Sequence, residues 1–248
     1  MSKHNLTTMV VDIFIPCYMD QIYPETGMNM VKILEKIGLE VHYNPNQTCC
    51  GQSAFNNGFW DEAKLIGEKF INDFPFNRPI ICPSASCVGF VRNFYDELFY
   101  NSALHNEYQL IKRNMYEFSD FLVNVLKIKD LGATFPHTIT YHDSCAALRE
   151  YGLTTEPRTL LSYVRGLKLI EMKDNKSCCG ASSSFSLKHE NISTAMAEQK
   201  VQNALATGAQ YIVSTDTSCL MHQSGYIMKQ NLAIKTIHLI DVLAAGWE

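Results

Sequence analysis

The tripeptide Cys49-Cys50-Gly51 recurs as Cys178-Cys179-Gly180, and this pair of matching sites guides the interpretation of the whole chain. A lone cysteine precedes the first cysteine of each tripeptide by 32 or 33 positions, and another follows the second cysteine by 37 or 40. These flanking cysteines are Cys17 and Cys87 in the first half and Cys145 and Cys219 in the second. Equivalent cysteines lie 128 to 132 residues apart, so the sequence predicts two copies of one structural unit.

The repeat extends beyond the cysteines to the end of each unit. Residues 118–122 (FSDFL) resemble residues 239–243 (LIDVL) at a similar offset. We therefore predict two cysteine-rich domains, one over residues 1–130 and the other over residues 131–248.

Each unit alternates short apolar runs with segments of helical period, which predicts strands and helices in turn. In the first unit we predict strands at residues 9–16, 41–43 and 79–82 and helices at 26–37, 61–73 and 88–99. In the second we predict strands at residues 138–141, 168–172, 211–214 and 235–238. The alternation predicts an α/β fold with two pseudo-symmetric repeats, each a small parallel sheet flanked by helices. The cysteines then lie at the carboxyl ends of the strands, where open α/β sheets bind ligands.

Composition narrows the class of protein. The 248 residues include 21 Lys and Arg against 25 Asp and Glu, and this mildly acidic balance argues against binding nucleic acid through phosphates. No apolar stretch approaches the roughly 18–20 residues that span a bilayer, so we expect no transmembrane segment. The N-terminal run, residues 1–17, is interpreted as leading into a first strand and not as a signal peptide. We expect a cytoplasmic chain whose nine cysteines stay reduced.

The cysteine pattern favours metal–thiolate chemistry, because each half brings at least four thiols together. Four thiolates suit a zinc ion or a [4Fe–4S] cluster. Adjacent cysteines in an extended chain point to opposite faces, which suits different metal atoms of one cluster better than a single zinc ion. We rank an iron–sulfur cluster ahead of zinc, and zinc ahead of thiol–disulfide chemistry. The candidate cofactor ligands are Cys17, Cys49, Cys50, Cys87, Cys145, Cys178, Cys179 and Cys219.

These motifs resemble the CCG-type cysteine-rich domain that occurs in heterodisulfide reductase and in the iron–sulfur subunit of glycolate oxidase. The chain is most similar to the lactate-utilisation protein A family, over nearly its whole length. The segments that carry the resemblance are residues 47–52 (QTCCGQ), 83–87 (PSASC), 142–150 (HDSCAALRE) and 214–222 (STDTSCLMH). One departure is that Ser84 and Asp216 stand where the wider pattern has the first cysteine of a C-x2-C pair. In heterodisulfide reductase the full five-cysteine motif binds a non-cubane cluster. With four cysteines per half, three alternatives remain open here: such a non-cubane cluster, an ordinary cubane cluster and an incomplete site.

The resemblance implies a cytoplasmic iron–sulfur electron-transfer subunit in the oxidation of L-lactate to pyruvate, with one or two [4Fe–4S] clusters per chain. It also implies two partners, a ferredoxin-like iron–sulfur subunit and a third, smaller subunit. The sequence has no G-x-G-x-x-G after its first strand and no flavin signature, so we expect no lactate turnover by this chain alone. Two alternatives remain: a scaffold module stabilised by zinc, and a cluster-dependent thiol or disulfide reductase subunit.

Four histidines are candidates for a role beside the thiols. His142 and His222 lie near Cys145 and Cys219 in sequence, where each either hydrogen-bonds a cluster sulfur or is simply solvated. His42 and His238 fall on strand patterns and are expected to be structural.

Three further assignments concern caps and the unmatched cysteine. We expect Thr26 to cap the first long helix, and Asp120 and Asp241 to cap the last helix of each unit. Cys82 has Ser214 at the equivalent position of the second unit and ends an apolar run. We therefore favour a buried structural thiol at Cys82 over a fifth ligand.

Overall fold

A computed structural model describes residues 9–182 and 184–247, which form two four-stranded parallel sheets. Residues 1–8, the start of the N-terminal run that we interpret as leading into a first strand and not as a signal peptide, lie outside the described residues. The first sheet has the order β2-β1-β3-β4. Its strands are β1 (Val10–Ile13), β2 (Glu40–Tyr43), β3 (Ile80–Cys82) and β4 (Met115–Glu117).

The second sheet repeats this topology with the order β6-β5-β7-β8. Its strands are β5 (Thr138–Tyr141), β6 (Lys168–Leu169), β7 (Tyr211–Ser214) and β8 (Lys235–His238). The two central strands of each sheet are largely buried, as expected where helices cover both faces of a parallel sheet. The predicted α/β fold with two pseudo-symmetric repeats is therefore confirmed.

Helices follow the strands in both halves. The first half contains α1 (Cys17–Ile22), α2 (Pro24–Lys36), α3 (Gln52–Asn56), α4 (Trp60–Asp73), α5 (Ala85–Phe99), α6 (His105–Asn114) and α7 (Phe118–Asp120). The second half contains α8 (Glu156–Ser162), α9 (Phe185–Lys188), α10 (Glu190–Leu205), α11 (Thr217–Lys229) and α12 (Leu239–Leu243). Two π-helical segments, Phe121–Val125 and Ala147–Tyr151, complete the described helical structure. None of these helices is long and apolar enough to cross a bilayer.

The predicted elements differ from the structure mainly at their ends. Strand β4 was not predicted, because its three residues are too few to show a period of two. Helix α6 was not predicted either. Helix α5 begins at Ala85 and not at residue 88, so Cys87 lies in the first helical turn and not in a loop. Helix α2 begins at Pro24 and not at residue 26, and proline is favoured at the first helical position.

The three predicted helix caps are wrong. Thr26 lies inside α2, and Asp120 and Asp241 lie inside α7 and α12. The residues that cap the last helices are Glu117, whose carboxylate accepts from two backbone N–H groups, and His238, whose ring accepts from one. Each cap is the final residue of an edge strand, so the helix starts directly where the strand stops.

The two halves share one hydrophobic core. Helix α12 of the second half packs on α2 of the first, while α7 and the π-helical segment that follows it pack on α8 of the second. Apolar side chains from both halves therefore meet in one cluster, which includes Ile33 and Phe121 from the first half and Leu160 and Leu243 from the second. A domain boundary between residues 130 and 131 remains a prediction.

Two half-buried aspartates add hydrogen bonds between the two halves. Asp241 accepts from the Thr26 hydroxyl at 2.8 Å and from the Asn29 amide at 2.9 Å. Asp120 accepts from the Tyr151 hydroxyl at 2.5 Å. The side chains predicted as caps therefore join the two halves instead.

We expect Asp241→Ala to lower the free energy of unfolding by about 1–3 kcal/mol, because it leaves the buried Thr26 hydroxyl without its acceptor. Glu35→Ala, on the exposed side of α2, serves as the control and should stay within about 0.5 kcal/mol of the parent. Equilibrium denaturation of the metal-free chain measures both values. Equal stability of the two variants would show that the Asp241 contacts do not hold the halves together.

Candidate metal centre

The four paired cysteines of the first half form a row of neighbouring thiols. Cys17 is the first residue of α1, and its sulfur lies 3.9 Å from that of Cys49. Cys50 follows Cys49 in the loop before α3 and interacts with Cys87 in the first turn of α5. Three chain segments, each after a different strand, thus deliver four thiols to one edge of the sheet.

The second half repeats the row with its own cysteines. The Cys145 and Cys178 sulfurs are 3.8 Å apart. Cys179 interacts in turn with Cys219, the third residue of α11. The structure therefore brings together all eight cysteines named from the sequence, in two sets of four.

The glycine of each tripeptide lets the loop turn sharply beneath its cysteines. Gly51 and Gly180 have φ angles of 90° and 87°, a region that side chains strongly disfavour. Each glycine N–H also points at the first sulfur of its tripeptide, with Gly51 N 3.4 Å from Cys49 Sγ and Gly180 N 3.4 Å from Cys178 Sγ. Such N–H groups favour a negatively charged sulfur.

Other side chains fix the cysteine loops in position. The Gln47 amide accepts from the backbone N–H of Ile15 at 2.7 Å and donates to the Ile13 carbonyl at 3.2 Å, which ties the first tripeptide loop to the Cys17 loop. In the second half, Arg158 binds both oxygens of buried Asp143, two residues before Cys145, at 2.8 and 2.7 Å. No sequence pattern indicated Arg158, which lies well outside the cysteine motifs.

The close thiol pairs share protons unequally. The hydrogen bond between Cys17 and Cys49 raises the pKa of the Cys17 thiol and lowers that of Cys49. In the second half the hydrogen bond from Cys145 lowers the pKa of Cys178 to about 6. One thiol of each pair is therefore ready to act as a thiolate, the form that binds metals.

Both thiol rows open onto one cavity of about 500 Å³ between the halves. The wall also includes residues with hydroxyl groups, among them Ser86 at the start of α5, Ser144 in the loop after β5 and Thr217 at the start of α11. The thiols on the wall are Cys17, Cys49, Cys50, Cys87, Cys145, Cys178 and Cys219.

The two departures from the wider cysteine pattern face each other across the boundary between halves. The Ser84 hydroxyl donates to Asp216 Oδ1 at 2.8 Å, and the Ser86 backbone N–H donates to the same oxygen at 3.1 Å. Ser84 and Asp216 are both almost fully buried. These positions join the two cysteine sites instead of supplying thiols.

The histidines have different surroundings. His42 lies 2.6 Å from buried Asp12, and His238 donates to the carbonyls of Pro83 and Thr215, each at 3.1 Å, so both rings hold segments together. His222 lies 3.0 Å from the Ser193 hydroxyl and not against a sulfur.

His142 is the histidine that reaches the thiols. One of its ring nitrogens and the sulfurs of Cys179 and Cys219 all lie within 4.8 Å of one another. The ring is fully buried at the end of β5. His142 is near Cys145 in sequence, but its neighbours in space are Cys179 and Cys219.

Cys82 lies behind the first row of thiols. It is fully buried in the aromatic core of the first half, and its sulfur is 3.5 Å from the Ser84 carbonyl. Burial raises the pKa of the Cys82 thiol, which also interacts with Cys87. A buried neutral thiol is consistent with the structural role expected from the sequence.

Comparison with known proteins identifies the family. The profile of a family described as CCG, a cysteine-rich domain, matches residues 11–92 and 139–223. Lactate utilization protein A 2 of Bacillus cereus (strain AH820) is 35% identical over 244 residues, which cover 96% of this chain and 99% of that protein. Lactate utilization protein A of Oceanobacillus iheyensis is 36% identical over 95% of this chain and 96% of its own length. The chain belongs to the lactate utilization protein A family.

A solved structure shows the same fold at low sequence identity. A hypothetical protein from Helicobacter pylori superposes with a TM-score of 0.62 and 12% identity, over 96% of this chain and 49% of that one.

For this member of the lactate utilization protein A family, the two profile matches include both cysteine sets and end within α5 and α11.

The residues present fit a metal or metal–sulfur group. Each half offers a set of four neighbouring thiols, and the second half adds the buried imidazole of His142 beside Cys179 and Cys219. Thiolates and imidazole are ligands that zinc and iron–sulfur centres use. The site is therefore suited to holding a metal or cluster in each half.

We expect Gly180→Ala to destabilise the chain more than Gly51→Ala does. Both variants incur about 1–2 kcal/mol for a left-handed backbone, and a Cβ on Gly180 would also lie 2.7 Å from the Ser193 carbonyl oxygen. Gly225→Ala is the matched control, because it lies within helix α11 with no atom within 4 Å of the added carbon. The denaturant midpoint should be highest for Gly225→Ala, lower for Gly51→Ala and lowest for Gly180→Ala. A Gly180→Ala midpoint equal to that of the control would contradict the close contact with Ser193.

Proposed function

We propose that this chain is a cytoplasmic iron–sulfur electron-transfer subunit of a system that oxidises L-lactate to pyruvate. The observation that carries the proposal is the pair of four-thiol rows opening onto one cavity. The relatives named lactate utilization protein A support the lactate system, since they match over nearly their full length.

The adjacent cysteines of each tripeptide favour a polynuclear cluster over a single zinc ion. In the first half, Cys17 interacts with Cys49, Cys49 with Cys50, and Cys50 with Cys87. Cys49 and Cys50 are neighbours in the chain, and adjacent cysteines suit different metal atoms, such as the separate irons of a [4Fe–4S] cluster. We assign one such cluster to each half, held by Cys17, Cys49, Cys50 and Cys87 and by Cys145, Cys178, Cys179 and Cys219.

The surrounding backbone suits an anionic group. The helices α5 and α11 start two residues before Cys87 and Cys219, so their free N–H groups lie close to these thiols. The N–H groups of Gly51 and Gly180 add to the same positive field. These groups stabilise thiolates without requiring a basic side chain.

The chemistry that a bound cluster supplies is transfer of single electrons. The chain's own residues hold the thiols in place, exclude bulk water from the buried Cys50 and Cys179, and keep the two sites on one shared cavity. Because the sequence has no dinucleotide or flavin motif, we expect the hydride of lactate to be accepted outside this chain. We propose a ferredoxin-like iron–sulfur subunit and a third, smaller subunit as the partners of this chain.

Anaerobic purification followed by iron and acid-labile sulfide analysis tests the proposal. We expect iron and sulfide in equal amounts, visible absorbance, and an EPR signal after reduction. Cys50→Ser and Cys179→Ser should each lose about half of the iron, because each removes a ligand from one of two sites. A colourless protein that contains zinc and no sulfide would contradict the proposal, as would full iron retention in both variants.

Cys82→Ser and Cys87→Ser separate a structural thiol from a ligand in the first half. We expect Cys82→Ser to keep its iron and EPR line shape, with a loss of about 1–3 kcal/mol from burying a hydroxyl in an apolar core. Cys87→Ser should lose the iron of the first half. Loss of iron from a folded Cys82→Ser protein, checked by circular dichroism, would make Cys82 a ligand.

A further inference from the structure

The buried ring of His142 lies against the second thiol row. The residue has 0% exposure, and within the described ranges 9–182 and 184–247 neither ring nitrogen hydrogen-bonds to a nitrogen or oxygen, while the ring does interact with the Cys179 thiol. A buried polar group needs a polar partner. Because the partner of this imidazole is a thiol already named as a metal ligand, the ring is placed to bind the same group as that thiol.

The surroundings of the ring supply the rest of a metal site. A His142 nitrogen, the Cys179 sulfur and the Cys219 sulfur lie within 4.8 Å of one another, and all three residues are buried. The Cys219 sulfur faces the shared cavity, and Cys145 and Cys178 lie on the same wall. The imidazole thus lies at the inner end of the second thiol row.

The first half shows that the fold does not need a histidine at this position. Phe14 follows β1 as His142 follows β5, and its ring packs against Phe70 with centroids 4.9 Å apart. An apolar side chain therefore fills the same place in one unit. The polar ring in the other unit is an addition specific to the second site.

We propose that His142 contributes an imidazole nitrogen ligand to the metal centre of the second half, beside the four thiols already named. This inference rests on the proposed function, because it requires a centre at the second thiol row. The two centres then differ in chemistry: the first has only sulfur donors, and the second has mixed nitrogen and sulfur donors.

The imidazole is an added donor to the second centre, and the first centre has no counterpart. Because ligand identity is one of the factors that set reduction potentials, the two centres should have different potentials and separate reduction steps.

Pulsed EPR of the reduced, anaerobically purified full chain tests the nitrogen ligand. We expect a strongly coupled nitrogen whose spectrum changes when the chain is made with ¹⁵N-labelled histidine. His142→Phe, which copies the residue of the first half, should lose this coupling. His222→Gln, which removes a nearby histidine held by Ser193, should keep it.

The outcomes separate this inference from the proposed function. Absence of iron and sulfide would overturn the proposed function and, with it, the histidine ligand. A chain that holds both centres, shown by loss of about half of the iron in Cys179→Ser, but has no strong histidine coupling would overturn the histidine ligand alone. Coupling that persists in His142→Phe would do the same. The labelled parent chain is informative even where His142→Phe fails to fold, and His142→Asn provides a smaller polar variant.

Redox titration followed by EPR gives a second readout. We expect two reduction steps in the parent chain. His142→Phe should shift the step of the second centre and leave that of the first centre in place. An unchanged pair of potentials in a folded, fully loaded His142→Phe protein would contradict the ligand assignment.

Discussion

The packing of each unit's last helix on a helix of the other unit is the constraint on which the site depends. Helix α12 lies on α2, and α7 with its π-helical extension lies on α8. This packing across the halves builds a core to which both halves contribute apolar side chains. It also fixes the carboxyl ends of both parallel sheets around one cavity, where all the cysteine loops end.

Within that frame, the chemistry follows from where parallel strands stop. Three loops per half leave neighbouring strands at the same edge, so cysteines far apart in sequence become neighbours in space. The glycine at the end of each tripeptide adopts a left-handed conformation, which lets two adjacent thiols serve different neighbours. Hydrogen bonds between thiols and from backbone N–H groups then favour ionisation of one sulfur in each close pair.

The sequence predicted the parts of this structure that repeat. The matched spacing of the two Cys-Cys-Gly tripeptides was enough to predict the duplicated α/β fold and the convergence of the cysteines. It did not predict the caps, because Asp120 and Asp241 recur at equivalent positions for a different reason: each binds a residue of the opposite half. Such long-range partners leave no local pattern. The role of Arg158 was missed for the same reason, since its partner Asp143 is recognised only after the chain has folded.

The contact between Ser84 and Asp216 requires the two units to differ at one position. The two residues occupy equivalent positions of the two units, yet one donates and the other accepts. Aspartate in both units would bury two carboxylates that repel each other. One unit therefore has to supply a hydroxyl where the other supplies a carboxylate, and the internal symmetry is broken at the contact that joins the two cysteine sites.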